Sequence, residues 1–334
     1  MNAPIRILLS LLLLCLAPRE HSAQDDPCAK ILIPLTLRDA RGELIHNYSD
    51  GDLEVKLGGT AQHFEGIHRE TRSRRMVILL DASGSMKDPG KGVLWQRAIA
   101  STQFLANFSK RRAHLALLIF NKKIVEEIGF SDDNAAIAKK LDELAQDQKF
   151  LDQEVQGTTH LYDAMNRAME MLGQPSSADV LFVVSDAGEN GSRLHFADIK
   201  RKLIQTGVRV FMTRLENAGT NNRIMSPEEV SSVEDTLTVV EQTGGADMTL
   251  APNQVTLGFQ ARPRPSVTEG FRMFYRGLFE NDVLEFGGPL PNPGKRELKI
   301  TVSASGRNRL NGAKLTYPHQ LYFCTPPKEA SAAP

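Results

Sequence analysis

Five consecutive apolar residues, Met76-Val77-Ile78-Leu79-Leu80, run straight into Asp81-Ala82-Ser83-Gly84-Ser85, and this junction constrains the chain more than any other. An unbroken apolar run of strand length, preceded by the charged stretch Arg72 to Arg75 and followed by a Gly/Ser loop, reads as a strand buried on both faces. Strands of that kind belong to parallel sheets covered by helices on each side. Such sheets bind ligands outside the carboxyl ends of their strands. The pentad therefore places a carboxylate and two hydroxyls where a site would be.

The residues around it repeat the pattern. From about Arg74 to Pro252, apolar runs alternate with helical periodicity. Strands are expected at Leu115–Phe120, Ile124–Phe130, Val180–Val184 and Val208–Met212; helices at Trp95–Phe108, Ala135–Leu144, Leu161–Leu172, Phe196–Ile204 and Val230–Thr243. Strand and helix at this spacing predict an α/β fold with a doubly wound, mostly parallel sheet over residues 74–252. Two polar loops, 146–156 and 217–227, exceed the usual connection length and read as insertions.

The flanks differ. Ile31, Ile33, Leu35 and Leu37 alternate with other residues, as do Leu53, Val55 and Leu57, and later Leu298, Ile300 and Val302, then Leu315, Tyr317, Leu321 and Phe323. Period-two alternation predicts half-buried antiparallel strands. An N-terminal β segment (28–72) and a C-terminal one (266–325) are thus expected to build one small sandwich-like unit, with a disordered tail at 326–334.

Arg6 followed by the apolar run Ile7 to Leu16, with Ser22 and Ala23 beyond, reads as a secretory signal peptide (1–23) rather than a spanning helix. Export is therefore expected, to the periplasm or the exterior. Without the signal, Cys28 and Cys324 remain, an even pair at opposite ends of the exported chain. A disulfide between them and two unrelated thiols both stay open. The 40 basic and 40 acidic residues balance, which gives no support to nucleic-acid binding or polybasic membrane adhesion. The cluster Arg69, Arg72, Arg74 and Arg75 reads as a solvated strand lead-in. The Asn47 and Asn107 sequons are read as chance.

Two more segments join the pentad by topology. Thr159 opens a helix in Gly157-Thr158-Thr159-His160, and Asp186 ends a strand in Val183-Val184-Ser185-Asp186. In a parallel sheet both reach the edge that carries Asp81, Ser83 and Ser85. Two carboxylates and three hydroxyls, all oxygen donors, suit a hard cation: magnesium first, manganese or calcium next. Each residue alone has a plainer role, Ser85 or Thr159 as a helix cap and Asp186 as a turn former. His160 reads as a rim or packing residue. Trp95 reads as an exposed anchor beside the site or as a half-buried aromatic at a helix start.

These motifs resemble the von Willebrand factor A domain and its metal-ion-dependent adhesion site. Asp81-Ala82-Ser83-Gly84-Ser85 matches the family's Asp-x-Ser-x-Ser, Thr159 its loop threonine, and Asp186 its strand-end aspartate. The resemblance implies direct ligation by the hydroxyls, ligation by the carboxylates directly or through water, and completion of the shell by a partner's Asp or Glu. The family usually reads Asp-Gly at the last position, whereas this chain has Asp186-Ala187-Gly188-Glu189. Residues 253–265 lack an obvious final helix. The flank Leu37-Arg38-Asp39-Ala40-Arg41-Gly42-Glu43-Leu44, with Asp52-Leu53-Glu54-Val55, resembles the β segment preceding such domains in secreted bacterial proteins, notably of acidobacterial type.

The expected function is accordingly an exported, non-enzymatic module for metal-dependent protein binding or adhesion. The alternative is a magnesium-dependent phosphohydrolase with Asp81 as nucleophile. That chemistry wants a second acid two residues on, where Ser83 stands. No Gly-x-Ser-x-Gly motif supports a serine hydrolase.

Overall fold

In the computed structural model, which describes residues 30–131, 134–216, 227–259, 261–287 and 294–323, the run Met76–Leu80 is fully buried inside a strand. Residues 1–23, Cys28, Cys324, the tail 326–334 and most of the 217–227 loop lie outside the described residues. In chain order, β1 (Lys30–Arg38), β2 (Leu53–Leu57), β3 (Thr60–Gln62) and β4 (Gly66–Arg69) precede β5 (Arg74–Asp81), α1 (Gly84–Lys91) and α2 (Val93–Phe108). Next come β6 (Ala113–Phe120), β7 (Ile124–Ile128), α3 (Ala135–Leu144), α4 (Gln148–Gln153), α5 (Leu161–Leu172), β8 (Val180–Ser185) and α6 (Phe196–Thr206). Then follow β9 (Arg209–Leu215), α7 (Pro227–Gln242), β10 (Asp247–Ala251) and β11 (Gln254–Leu257). The described chain closes with α8 (Val267–Phe279), β12 (Asp282–Gly287), β13 (Gly294–Val302), β14 (Lys314–Thr316) and β15 (Gln320–Phe323).

The central sheet has the order β11-β10-β9-β8-β5-β6-β7. β5 pairs in parallel with β6 and β8, β8 with β9, and β9 with β10, while β7 and β11 close the edges antiparallel. Side chains alternate across a strand, so β5 feeds two cores. Met76, Ile78 and Leu80 pack with α2, α3 and α8; Val77 and Leu79 pack with α5, α6 and α7. The α/β class expected from the sequence is the observed one. Its carboxyl-terminal strand edge collects the loops after β5, β6 and β8.

Two segments depart from expectation. Residues 267–279, placed within a β segment, form α8, whose Ser266 hydroxyl caps the Glu269 amide at 3.3 Å. Phe271, Phe274, Tyr275 and Leu278 stand at i, i+3, i+4 and i+7, a helical stripe rather than an alternation. That stripe packs against Phe104, Phe182 and Phe211 and supplies the last helix of the α/β layers, while β11 extends the sheet past residue 252. The 146–156 insertion is no solvated loop either. It holds α4, capped by Asp147, and buries Leu151 and Val155 in the core beneath α2.

The two flanks interleave into a pair of antiparallel sheets, β14-β1-β12-β4 and β15-β13-β2-β3. Ile33, Leu35 and Leu37 of β1 meet Leu53, Val55, Leu284, Phe286, Leu298 and Ile300 in a separate core. The chain crosses between this unit and the α/β unit at residues 70–73 and again at Glu280–Asn281, where the Glu70 amide donates to the Asn281 carbonyl at 3.1 Å. Among the described residues no helix is long and apolar enough to cross a membrane.

Candidate metal centre

Asp81 ends β5, the strand flanked by β6 and β8, and is 0% exposed. Its Oδ1 accepts the Ser83 amide at 2.8 Å, and its Oδ2 accepts the Ser185 hydroxyl at 2.6 Å. Ser185 is in turn held by the Ala187 amide at 3.0 Å. Burial pushes the Asp81 carboxyl up to about 7, and the negative charge of Asp186 adds to the rise against the hydrogen bonds from Ser185 and Ser83. A buried carboxylate facing a second one is an unfavourable arrangement that a positive charge would relieve.

The hydroxyls are not spent on helix caps. Ser83 precedes α1, yet its side chain makes no capping bond; its Oγ lies 3.1 Å from the Ser85 Oγ. Thr159 is 3% exposed, and His160, not Thr159, occupies the N-cap position of α5. The Thr159 loop is stitched to the pentad by the backbone, with Gly84 N–H donating to the Gly157 carbonyl at 2.9 Å and Gln156 N–H to the Ala82 carbonyl at 3.0 Å. A Cβ on Gly84 would stand 3.2 Å from that Gly157 oxygen, so the close approach favours glycine.

The loop after β8 brings Asp186 to the same place. A Cβ on Gly188 would lie 3.4 Å from Asp186 Oδ1 and 4.0 Å from Thr159 Oγ1, so both oxygens line the same small space. Asn190 ties the two loops together, its Oδ1 accepting the Thr159 amide at 2.8 Å and its own amide donating to the Thr159 carbonyl at 3.1 Å. Ala187 sits where the resembled family carries glycine, and it adopts φ +71 with its methyl fully buried. A left-handed conformation costs a non-glycine residue about 1 kcal/mol, and this loop accepts it.

Glu189 was not singled out by the sequence reading. Its Oε1 accepts the amides of Gly191 and Ser192 at 2.9 and 2.8 Å, and its Oε2 accepts the Tyr162 amide at 3.1 Å and the Ser192 hydroxyl at 2.8 Å. One carboxylate thus fixes the β8 loop to the first turn of α5. The only sequence signal was the departure Asp186-Ala187-Gly188-Glu189 itself.

The two expected rim residues separate. His160 is half-buried, with Nε2 3.1 Å from the Thr158 hydroxyl and its ring against Gly191, where a Cβ would stand within 2.4 Å of it. Trp95 is not an exposed anchor. It is 0% exposed and stacks on Phe150 at 5.6 Å, because α4 covers the face that the sequence reading left open.

Among the described residues, no group of three or more His, Cys, Asp or Glu side chains is placed to hold a metal. The candidate centre offers two carboxylates and three hydroxyls, Asp81, Asp186, Ser83, Ser85 and Thr159. That oxygen-only set, built around one buried acid, fits a hard divalent cation. No curated protein matches the sequence. Among solved structures, the conserved hypothetical protein BatB from Bacteroides thetaiotaomicron is 12% identical, covering 54% of this chain and 91% of its own, at a TM-score of 0.39. An aerotolerance-related membrane protein from Bacteroides fragilis is also 12% identical, covering 62% of this chain and 98% of its own, at a TM-score of 0.39. A von Willebrand factor type A structure from Catenulispora acidiphila is 11% identical over 87% and 74%, at 0.37. Residues 76–189, the stretch that supplies Asp81, Ser83, Ser85, Thr159 and Asp186, match the von Willebrand factor type A domain.

Proposed function

We propose that the chain is an exported, non-enzymatic binding module in which Asp81, Ser83, Ser85, Thr159 and Asp186 hold a divalent cation, magnesium first, for an acidic side chain of a protein partner. The observation that carries this reading is the gathering of two carboxylates and three hydroxyls at one sheet edge around a fully buried Asp81. When bound, the cation supplies an electrophilic position that an Asp or Glu from outside can fill, since neutral hydroxyls leave its charge largely uncompensated. The protein's own residues orient the donors: Ser185 and the Ser83 amide hold Asp81, Asn190 holds Thr159, and Glu189 holds the loop between them.

The rim favours a macromolecular partner. Val93, Ile124 and Val230 are exposed, and they stand at the starts of α2, β7 and α7, around the edge that carries Asp81. Lys122 is exposed on the same edge with its stem against Gly157. An acidic residue set among apolar neighbours fits that combination better than a free acid in water. The phosphohydrolase alternative gains nothing, because Ser83 occupies the place of the second acid.

Calorimetry with magnesium acetate tests the centre, with one site expected in the wild type and none in Asp81→Ala. Capture of exported proteins from native cells tests the partner: retention with magnesium should vanish with chelator and in Asp81→Ala. Equal retention under all three conditions overturns the reading.

A further inference from the structure

At the opposite edge of the sheet, Arg74 opens β5 and Arg209 opens β9; they are 2% and 1% exposed. Arg74 shares the face of Met76 and Arg209 that of Phe211, so both lie on the side of the sheet that packs against α8. The expectation of a solvated basic lead-in therefore fails for Arg74. A guanidinium does not shed its proton in a protein, so two positive charges are buried here together. Burial is costly to each, and their mutual repulsion adds to it at Arg209.

The charge of Glu70 offsets part of this for both arginines, but the hydrogen bonds that the described residues supply to the pair are few. Both guanidiniums donate through Nη2 to one neutral acceptor, Asn281 Oδ1, the Arg209 contact measuring 3.3 Å. Arg74 Nη1 and Arg209 Nε are buried and have no hydrogen-bond partner among the described residues. The neighbouring carboxylates spend their hydrogen bonds elsewhere, although the charge of Glu70 still acts on Arg74 and Arg209. Glu70 takes Arg72 through Nε and Nη2, and Asp179 takes Arg75 through Nε and Nη2. Two buried cations, two unfilled N–H donors and one amide oxygen make a site for negative charge.

We propose that a small monovalent anion of the halide class binds between Arg74 and Arg209, accepting the N–H groups that Asn281 leaves unfilled. A single charge is favoured over a divalent oxyanion, because α8 ends at Phe279 beside the site and a helix carboxyl end carries partial negative charge. The anion would tie the starts of β5 and β9 to Asn281, whose carbonyl accepts the Glu70 amide where the chain crosses between the two units. It is thus a structural ligand of the junction, independent of the candidate metal centre.

The test is a series of melting curves on the full chain with chelator present and ionic strength held constant, replacing gluconate by chloride, bromide or sulfate. Chloride and bromide should raise the melting temperature by about 2–5 °C, saturably, whereas sulfate should give only the non-saturating rise of an excluded salt. Arg209→Met should abolish the halide response. Bromide-soaked crystals should show an anomalous peak between the two guanidiniums. Identical melting in gluconate, chloride and bromide, a halide response that survives in Arg209→Met, or the absence of a bromide peak between the arginines would each overturn the proposal. The wild-type series and the crystal decide the matter even if the variant does not fold.

Discussion

Replacing Glu189 by alanine tests whether the candidate centre depends on the loop that holds it. The carboxylate accepts three backbone amides and one hydroxyl at 2.8–3.1 Å, and alanine leaves all four donors without it. Hydrogen bonds to a charged acceptor are worth about 1.5–3 kcal/mol each when buried, but Glu189 is half-buried and water can reach part of the gap. A loss of about 2–3 kcal/mol of folding stability is therefore expected, read from urea denaturation. The sharper expectation concerns magnesium. The residues fixed by Glu189 border Thr159 and Asp186, and loss of such outer support typically weakens a metal site about 10–100-fold. Calorimetry with magnesium acetate should show that drop while Asp81, Ser83 and Ser85 stay unaltered. A variant that loses stability but binds magnesium as tightly as the wild type would refute the positioning role and leave Glu189 as a loop anchor only.

Trp95→Phe should cost only about 1 kcal/mol in stability, since it relieves a buried indole N–H that has no partner among the described residues, whereas Trp95→Ala should cost about 3–5 kcal/mol as a cavity. Magnesium binding should be unchanged in Trp95→Phe, and a loss there without a change in stability would restore a rim role. His46 supplies a pH dependence: burial first, then Arg69, which lies 2.9 Å from its Nε2, holds its pKa below the usual value against the pull of Asp282 and Glu280. A lowered histidine pKa means that the folded state prefers the neutral ring. Its contribution to stability is therefore present above about pH 6.5 and lost as the pH falls through the lower folded value. Wild-type melting temperature should thus drop more steeply than that of His46→Gln between pH 7 and 5, and parallel curves would refute the assignment.

What could be read from the sequence follows from where the information lies. The buried strand β5 and its pentad are contiguous, and apolar continuity followed by a polar stop needs no knowledge of the rest of the chain. Thr159 and Asp186 are distant in sequence, yet parallel-sheet topology alone sends them to the edge of Asp81. α8 was legible too, because Phe271, Phe274, Tyr275 and Leu278 carry a helical period, but the alternating strands beyond it drew the boundary too early. Trp95 was not legible in the same sense. Its helix was expected, but its burial depends on Phe150, which arrives from an insertion read as polar loop. Glu189, Asn190, Arg74 and Arg209 share that limit, since their roles come from contacts between loops or strands that no local period records. Asn281 marks the limiting case: one neutral side chain after a helix end receives two buried arginines from separate strands. Only the assembled sheet, which places β5 and β9 on either side of β8, makes that charge imbalance visible.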